Sequence, residues 1–300
     1  MADMVDFLST SLRVTTPILL SALGALIASS AGATNIALEG IMLFSAFVGA
    51  VVSGLTHSLI LSLLSAVSSG LIMTGILAFF SLKLKANIIM AAIALNIFSS
   101  GGTIFFLNVI TGEKGSSASI ESLVFPTLEI PLINKIPGIG EILSGHNILT
   151  YFALLSVIAV SFMLKRTPLG TKIRAVGENK EAAESVGISV RKVKTVALLL
   201  SGFYASLGGV YLSMGYVSWF SRNMTSGRGW IALAAQALGG KSAYGVAISS
   251  GVFGMSESAS YSLKLLNIPG ELTQAFPFII TVLMLIIVSF KKERRFIGNS

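Results

Sequence analysis

The sequence predicts an all-α protein, a polytopic transmembrane helical bundle of about eight or nine apolar segments, on three observations. Mean hydropathy is +0.84, with 53% hydrophobic and only 11% charged residues. A window of about 19 residues resolves apolar stretches at 15–31, 36–55, 58–82, 88–110, 149–164, 195–217, 229–240, 243–262 and 272–290. Third, the basic residues cluster: twelve of the twenty-one Lys/Arg lie in a central island, 165–194, or in the tail KKERR. Lys/Arg beside apolar spans mark cytoplasmic loops. The net charge of +8 therefore reads as topology. Nucleic-acid binding is set aside, since no basic stripe interleaved with aromatics accompanies the charge.

The amino terminus, MADMVDFLSTSLRVTTP, has two Asp before its first Arg and no basic leader, so it is not expected to be a cleaved signal. Zero cysteines exclude disulfides, thiolate metal sites and cysteine nucleophiles. Most segments reach the about 20 residues needed to cross about 30 Å of hydrocarbon. The 229–240 stretch is too short and reads as a broken or re-entrant helix. With the island and tail inside, parity puts Lys83, Lys85 and Lys241 inside, and the Pro-rich 112–148 loop outside as irregular surface; the amino terminus is then external. LLSALGALIASSAGATNIALEGIML faintly echoes LLSGFYASLGGVYL followed by GWIALAAQALGG, and opposite starting sides would make these inverted repeats.

The island carries a local helix signal. Asn179 can cap a helix start, Glu181 sits in the first turn where the dipole favours negative charge, and Gly187 can end the helix in a left-handed conformation. The expected helix, 180–186, offers Ala182, Ala183 and Val186 for one face. Isolated helices below about 12 residues are marginal in water, so it needs a docking surface.

The run RTPLGTKIRAVGENKEAAESVGISVRKVKTVALLLSGFYASLGGVYL resembles the coupling loop and following helix of ABC-importer permeases of the branched-chain amino acid, ribose and nucleoside group. AGATNIALEGIMLFSAF, KANIIMAAIALNIFSSG, SGRGWIALAAQALGGKSAYGV and IPGELTQAFPFIITVLML resemble the shorter permease subunit of nucleoside importers that work with a basic-membrane-protein-type binding lipoprotein. The resemblance implies one transmembrane permease domain over 1–300, with 112–148 an external loop and 166–194 a cytoplasmic coupling loop. It also implies four partners besides membrane lipid: a cytoplasmic ABC ATPase, a second permease subunit, an external solute-binding lipoprotein and a nucleoside substrate. ATP and Mg would belong to the ATPase, with no cofactor on this chain. Gly177, Glu178, Asn179, Glu181, Ala182, Ala183 and Gly187 would form the ATPase coupling device. Where the family often has Ser-Glu-Arg before its first Ala-Gly, this chain has Ser29, Ser30 and Ala31, which removes charges from the inner end of the first helix.

Polar residues inside apolar spans are costly and mark functional candidates. Asn35, Glu39, Asn96, Gln236, Glu257 and Gln274 qualify. Asn35 and Glu39, one turn apart, either face a polar ligand together or cap and wet the start of the second helix. Asn96 either lines the path or bonds a neighbouring helix. A nucleobase stacks on a ring, so Phe105, Phe106, Trp230 and Phe253 are candidates, against interface anchoring for the tryptophans. The substrate path is therefore expected to draw on Asn35, Glu39, Asn96, Phe105, Trp230, Gln236 and Glu257. Arg222 and Arg228 bracket an outer loop, where solvated anchoring is expected ahead of contact with the binding protein.

No catalytic or metal site is expected. His57 and His146 lack a partner at metal-ligand spacing, and GGKS at 239–242 has Ala235 where a phosphate-binding loop needs its first glycine. ATP would be hydrolysed by another polypeptide. Sugar or branched-chain amino acid import is the sibling alternative. A secondary transporter would need a buried acid, for which Glu39 and Glu257 stand. A membrane-embedded enzyme lacks any nucleophile placed beside a base.

Overall fold

The computed structural model describes residues 2–130 and 139–264, with Ile279 alone beyond them. The predicted 272–290 segment, the tail and Gln274 lie outside the described residues. Eleven α-helices are described: α1 (Ala2–Ser30), α2 (Leu38–Thr56), α3 (Leu59–Ala78), α4 (Ile88–Thr111), α5 (Ile139–Leu143), α6 (Ile148–Arg166), α7 (Pro168–Glu178), α8 (Lys180–Ser185), α9 (Val190–Met214), α10 (Arg228–Gly239) and α11 (Ala243–Lys264). A π-helical turn, Phe79–Lys83, extends α3, and two short strands, β1 (Thr127–Leu128) and β2 (His146–Asn147), pair antiparallel. Six helices, α1–α4, α6 and α9, are long and apolar enough to cross a membrane. The predicted 229–240 segment is the 12-residue α10. The 22-residue α11 is long enough but rich in Ser and Gly.

Local chemistry sets several helix starts. Ser58 accepts from the Leu61 amide at α3, Asn87 from Ile89 at α4, Asn147 from Leu149 at α6 and Thr167 from Gly170 at α7. Each satisfies an amide that the first helical turn leaves free. The antiparallel pair α1 and α9 forms the centre, burying Ile18, Leu20, Leu23 and Leu26. Small residues let backbones touch: a Cβ on Gly24 of α1 would stand 2.7 Å from the Ser201 carbonyl oxygen of α9, and one on Gly209 of α9 would run into the Met42 carbonyl of α2. Without a hydrophobic force between helices in lipid, such close backbone approach supplies the packing attraction. α3 and α4 pack outside this centre and present Ile60, Leu64, Ile72, Met90 and Ile97 outward.

The bundle has two ends, one bearing the described residues 112–130 and 139–147 and the other the basic island. At the first, residues 112–126 are irregular, β1, α5 and β2 follow, and the segment is packed. Ser116 bridges Ser221, Phe220 donates its amide to Ser117 Oγ, and buried Asn147 donates to the carbonyls of Phe125 and Gly215. These clasps hold residues 215–222, the non-helical chain that leads from α9 down to α10.

Candidate functional site

Two helix beginnings meet inside the bundle. α2 starts after the non-helical link 31–37, and α10 starts after residues 215–227; their N-termini abut so closely that a Cβ on Gly229 would stand 2.5 Å from the Glu39 amide nitrogen. Two positive dipole ends and several unpaired amides face one another there. Glu39 resolves this. Its Oε1 accepts from the Gly227 amide at 2.9 Å and its Oε2 from Gly229 at 2.7 Å. Gly227 occupies the α10 N-cap at φ +85, a left-handed backbone that glycine adopts without strain and that lets the two amides converge on one carboxylate.

Asn96 serves the other start. Its Oδ1 accepts from the Gly40 amide at 2.8 Å and its Nδ2 donates to the Ile36 carbonyl at 3.1 Å. Asn35 is fully buried; its Oδ1 accepts from Ala37 and its Nδ2 donates to Ser201 Oγ at 3.0 Å. Asn35 therefore turns the link, and the N-cap position itself is Ala37. Both Asn35 and Asn96 tie non-helical backbone to a neighbouring helix, which satisfies polar groups that the break in the helix leaves over.

Arg228 differs from its expected place. It does not lie solvated at the margin of an outer loop: its guanidinium is only 12% exposed and paired with Glu257 of α11, equally buried, while Arg222 remains exposed. The hydroxyl of Tyr261 donates to Glu257 at 3.1 Å and accepts from Arg228 at 3.1 Å, and Arg228 also reaches the Met224 carbonyl. Arg228 Nε and Glu257 Oε2 are buried without a hydrogen-bond partner among the described residues. The short α10 is thus held at its start from both sides, by Glu39 of α2 and by Glu257 of α11. Sequence reading missed Arg228, Gly229 and Gly40 because their roles depend on contacts across the fold.

The remaining candidates are not drawn together. Trp230 is half exposed near the start of α10, Gln236 is half-buried two turns further along it, and Phe105 is 63% exposed on α4 beside Phe106. Phe253 is buried in the core and offers no free ring face.

The island folds as a rigid arm with a small peg. α7 is seated on the bundle through two glycines: a Cβ on Gly170 would meet the Met163 carbonyl at 2.0 Å, and one on Gly177 would meet that of Ser30, the last residue of α1, at 2.1 Å. α8 follows. Asn179 Oδ1 accepts from Ala182 at 2.9 Å, Glu181 occupies the first turn, and Gly187 takes φ +81. The amides of Gly187 and Ile188 bond the carbonyls of Glu184 and Ala183, the paired closure of a Schellman motif. Glu181 is fully exposed, and bonding to its own backbone amide holds its carboxyl below the usual range. The expected single face of Ala182, Ala183 and Val186 is corrected: Ala183 is buried against the bundle at 3% exposure, whereas Ala182 is exposed and Val186 is 73% exposed. Positions 182 and 186 share a face at four-residue spacing and 183 does not. Glu178, the last residue of α7, approaches Lys241 at 3.9 Å in solvent.

Among the described residues no group of three His, Asp or Glu is placed to hold a metal ion.

The chain is similar to known proteins. Residues 7–288 match the family model described as branched-chain amino acid transport system / permease component. The guanosine ABC transporter permease NupQ of Bacillus subtilis is 30% identical over 94% of this chain and 93% of its own length. A nucleoside permease of Lactococcus lactis, NupC, is 29% identical over 90% and 88%. A Haloferax volcanii permease named for glucose, TsgC13, is 33% identical over 78% of this chain and 70% of its own. The inward-facing structure of a metal-chelate type ABC transporter superposes with a TM-score of 0.53 over 95% of this chain and 85% of that one at 17% identity, which shows a common fold. The chain belongs to the family of permease components of branched-chain amino acid transport systems.

Proposed function

We propose that this chain is the path-forming permease subunit of an ATP-driven importer of nucleosides, moved by a separate cytoplasmic ABC ATPase. The observation that carries the coupling is the peg. α8 is capped at both ends by its own residues, yet Ala182 and Val186 are exposed on its outer face. A two-turn helix closed in this way, presenting an apolar side chain to water, suits a groove on another protein. Nucleosides are favoured because two relatives named for guanosine and nucleoside transport match nearly end to end, whereas the glucose-named relative matches over a shorter span.

In this reading the basic island and the carboxyl-terminal tail face the cytoplasm, and the 112–147 segment faces outward toward a solute-binding lipoprotein. α10 is a re-entrant half-helix, and α1–α2 and α9–α10 are inverted counterparts whose second helices meet start to start. A second permease subunit would complete the path in a bacterial cytoplasmic membrane. Trp230, Gln236 and Glu257 would line it, while Asn35, Glu39 and Asn96 hold its helix ends in place; Phe105 would face lipid or the second permease.

A contiguous chain of contacts supports the coupling. Movement of the peg passes along α7 to Gly177 against Ser30, then through the link 31–37 to Glu39, whose carboxylate grips the start of α10. Lys194 adds a second tie, donating to the Gly32 carbonyl at 3.1 Å. Such a network becomes a mechanism only if both ends bias one two-state element, here the half-helix α10. The test is uptake of radiolabelled guanosine into proteoliposomes holding the full transporter, with glucose, leucine and pyrimidine nucleosides as competitors. ATP-dependent uptake blocked by nucleosides alone is expected. Block by glucose or leucine would reassign the substrate, and uptake without the ATPase would remove the coupling.

A further inference from the structure

At the island end a cavity of about 180 Å3 opens between the last turns of α1 and α6, the arm α7 and the start of α11. Three cations stand around it, Lys165, Arg174 and Lys241, against one carboxylate, Glu178. The balance of two positive charges favours an anion. Ala243, in the first turn of α11, lines the same space, so the positive end of a 22-residue helix points there as well. Ser161 of α6 supplies an independent sign. It is only 7% exposed, lines the cavity, and its hydroxyl makes no hydrogen bond to another described residue. Its hydroxyl opens on the cavity, where a bound acceptor can take its hydrogen bond.

We propose that this cavity binds the phosphate group of an anionic phospholipid. The feature that selects a lipid over a free phosphate is α6 itself. Leu155, Ile158 and Phe162 are exposed, and their spacing of three and four residues makes one stripe that ends at Lys165. An acyl chain lying along that stripe delivers its headgroup to the cavity mouth, where Lys165 sits 6.0 Å from the Tyr244 ring. Basic pockets between helix ends on the cytoplasmic side suit anionic headgroups in general. The lipid would bridge α6, the arm that carries the peg and the turn between α10 and α11. Only the choice of leaflet rests on the orientation proposed above; lipid retention is read without any transport assay, so it fails or succeeds separately from the nucleoside reading.

The test is native mass spectrometry of the purified full transporter, released from nanodiscs of phosphatidylcholine doped with phosphatidylglycerol. Wild type is expected to retain phosphatidylglycerol. Lys165→Gln with Arg174→Gln should weaken retention by about fivefold per charge removed. Lys180→Gln with Lys192→Gln, which removes two exposed island cations outside the cavity wall, should leave retention unchanged, and Ser161→Ala should weaken it less than either cavity cation. Circular dichroism checks that each variant is folded. Equal retention by the two double variants would overturn the site. Displacement of the lipid by inorganic phosphate in excess would reassign it to a free anion. Cross-linking of Arg174 to an acidic residue of the ATPase, with no lipid retained, would make it a protein contact and end the proposal.

Discussion

The peg at α8 and the junction where α2 meets α10 solve the same problem in opposite ways. Each must satisfy backbone groups left over at helix ends. The peg does so within ten residues, using Asn179 at one end and Gly187 at the other. The junction borrows its partners from far along the chain: Asn96 reaches a residue 56 positions away, and Glu39 reaches amides 188 and 190 positions away. The locally closed peg can move as a unit and engage a second protein. The cross-bonded junction cannot change without parting several elements together, which suits a structure with two discrete arrangements.

The largest effect should come from the peg, and on activity alone. Glu181→Lys combined with Ala182→Trp leaves every contact of the bundle in place, because both side chains point into solvent. ATP-driven uptake is expected to fall at least about tenfold, the equivalent of about 1.4 kcal/mol in coupling, with unchanged melting temperature and membrane insertion. Ala183→Trp separates the two faces: it intrudes on the bundle and should lower the melting temperature too. Normal coupled uptake by the Glu181→Lys, Ala182→Trp protein would break the contrast at once.

This contrast also explains what could be read from residues alone. The cap, first-turn acid and closing glycine of α8 lie within one short window, so the helix was predictable to within a residue at its end. Ala183 was misplaced on the docking face because burial against α7 and α9 is a tertiary fact. At the junction, Asn35, Glu39, Asn96 and Glu257 stood out because polar groups in apolar runs are costly, but their bonding partners did not. The short 229–240 stretch could be recognised as unable to span, yet the placement of Arg228 in the interior depended on Glu257, nearly thirty residues on, and on the clasps that hold residues 215–222. Gly40 and Gly229 matter for the absence of a Cβ at a contact that no sequence window contains.

Next in size is the ion pair. Arg228→Ala leaves Glu257 buried beside Tyr261 without its cation, and breaking one side of a buried pair costs about 3–5 kcal/mol; residual exposure puts the expectation near the lower bound. Thermal unfolding should show the loss, and Arg228→Ala with Glu257→Ala should recover part of it, since the uncompensated charge is gone. Additive losses in the double variant would mean that the two side chains do not interact. Asn96→Leu should follow, at about 1–3 kcal/mol for an amide and a carbonyl left unpaired. Glu39→Gln keeps one acceptor but turns an NH2 donor toward the second of the two amides that the carboxylate serves, and it loses the charge between two helix starts, for about 1–3 kcal/mol as well. Unlike the peg variants, both should change stability and uptake together, and a loss of uptake with full stability would show that Asn96 or Glu39 touches solute directly.

The smallest effect belongs to a third, non-local clasp, at the 112–147 end, where the group is titratable. His146 donates from Nε2 to the Ile142 carbonyl at 2.7 Å, leaving Nδ1 to accept from the Tyr216 hydroxyl at 3.4 Å, an arrangement that holds the neutral ring. Burial pushes its pKa below 6.5, the Ile142 carbonyl opposes that shift, and the nearby charge of Arg13 adds to it. Because the folded pKa is the lower one, the unfolded chain takes up a proton first as pH falls through about 6.5, and stability drops across the window down to the folded value. The melting temperature should therefore fall between about pH 7.5 and about pH 5.5 by more in wild type than in His146→Gln, which keeps a polar side chain but cannot titrate. The peg variants should retain the wild-type pH dependence in full, since the clasp lies at the opposite end of the bundle; parallel pH curves for wild type and His146→Gln would show that protonation of this ring is not resisted by the fold.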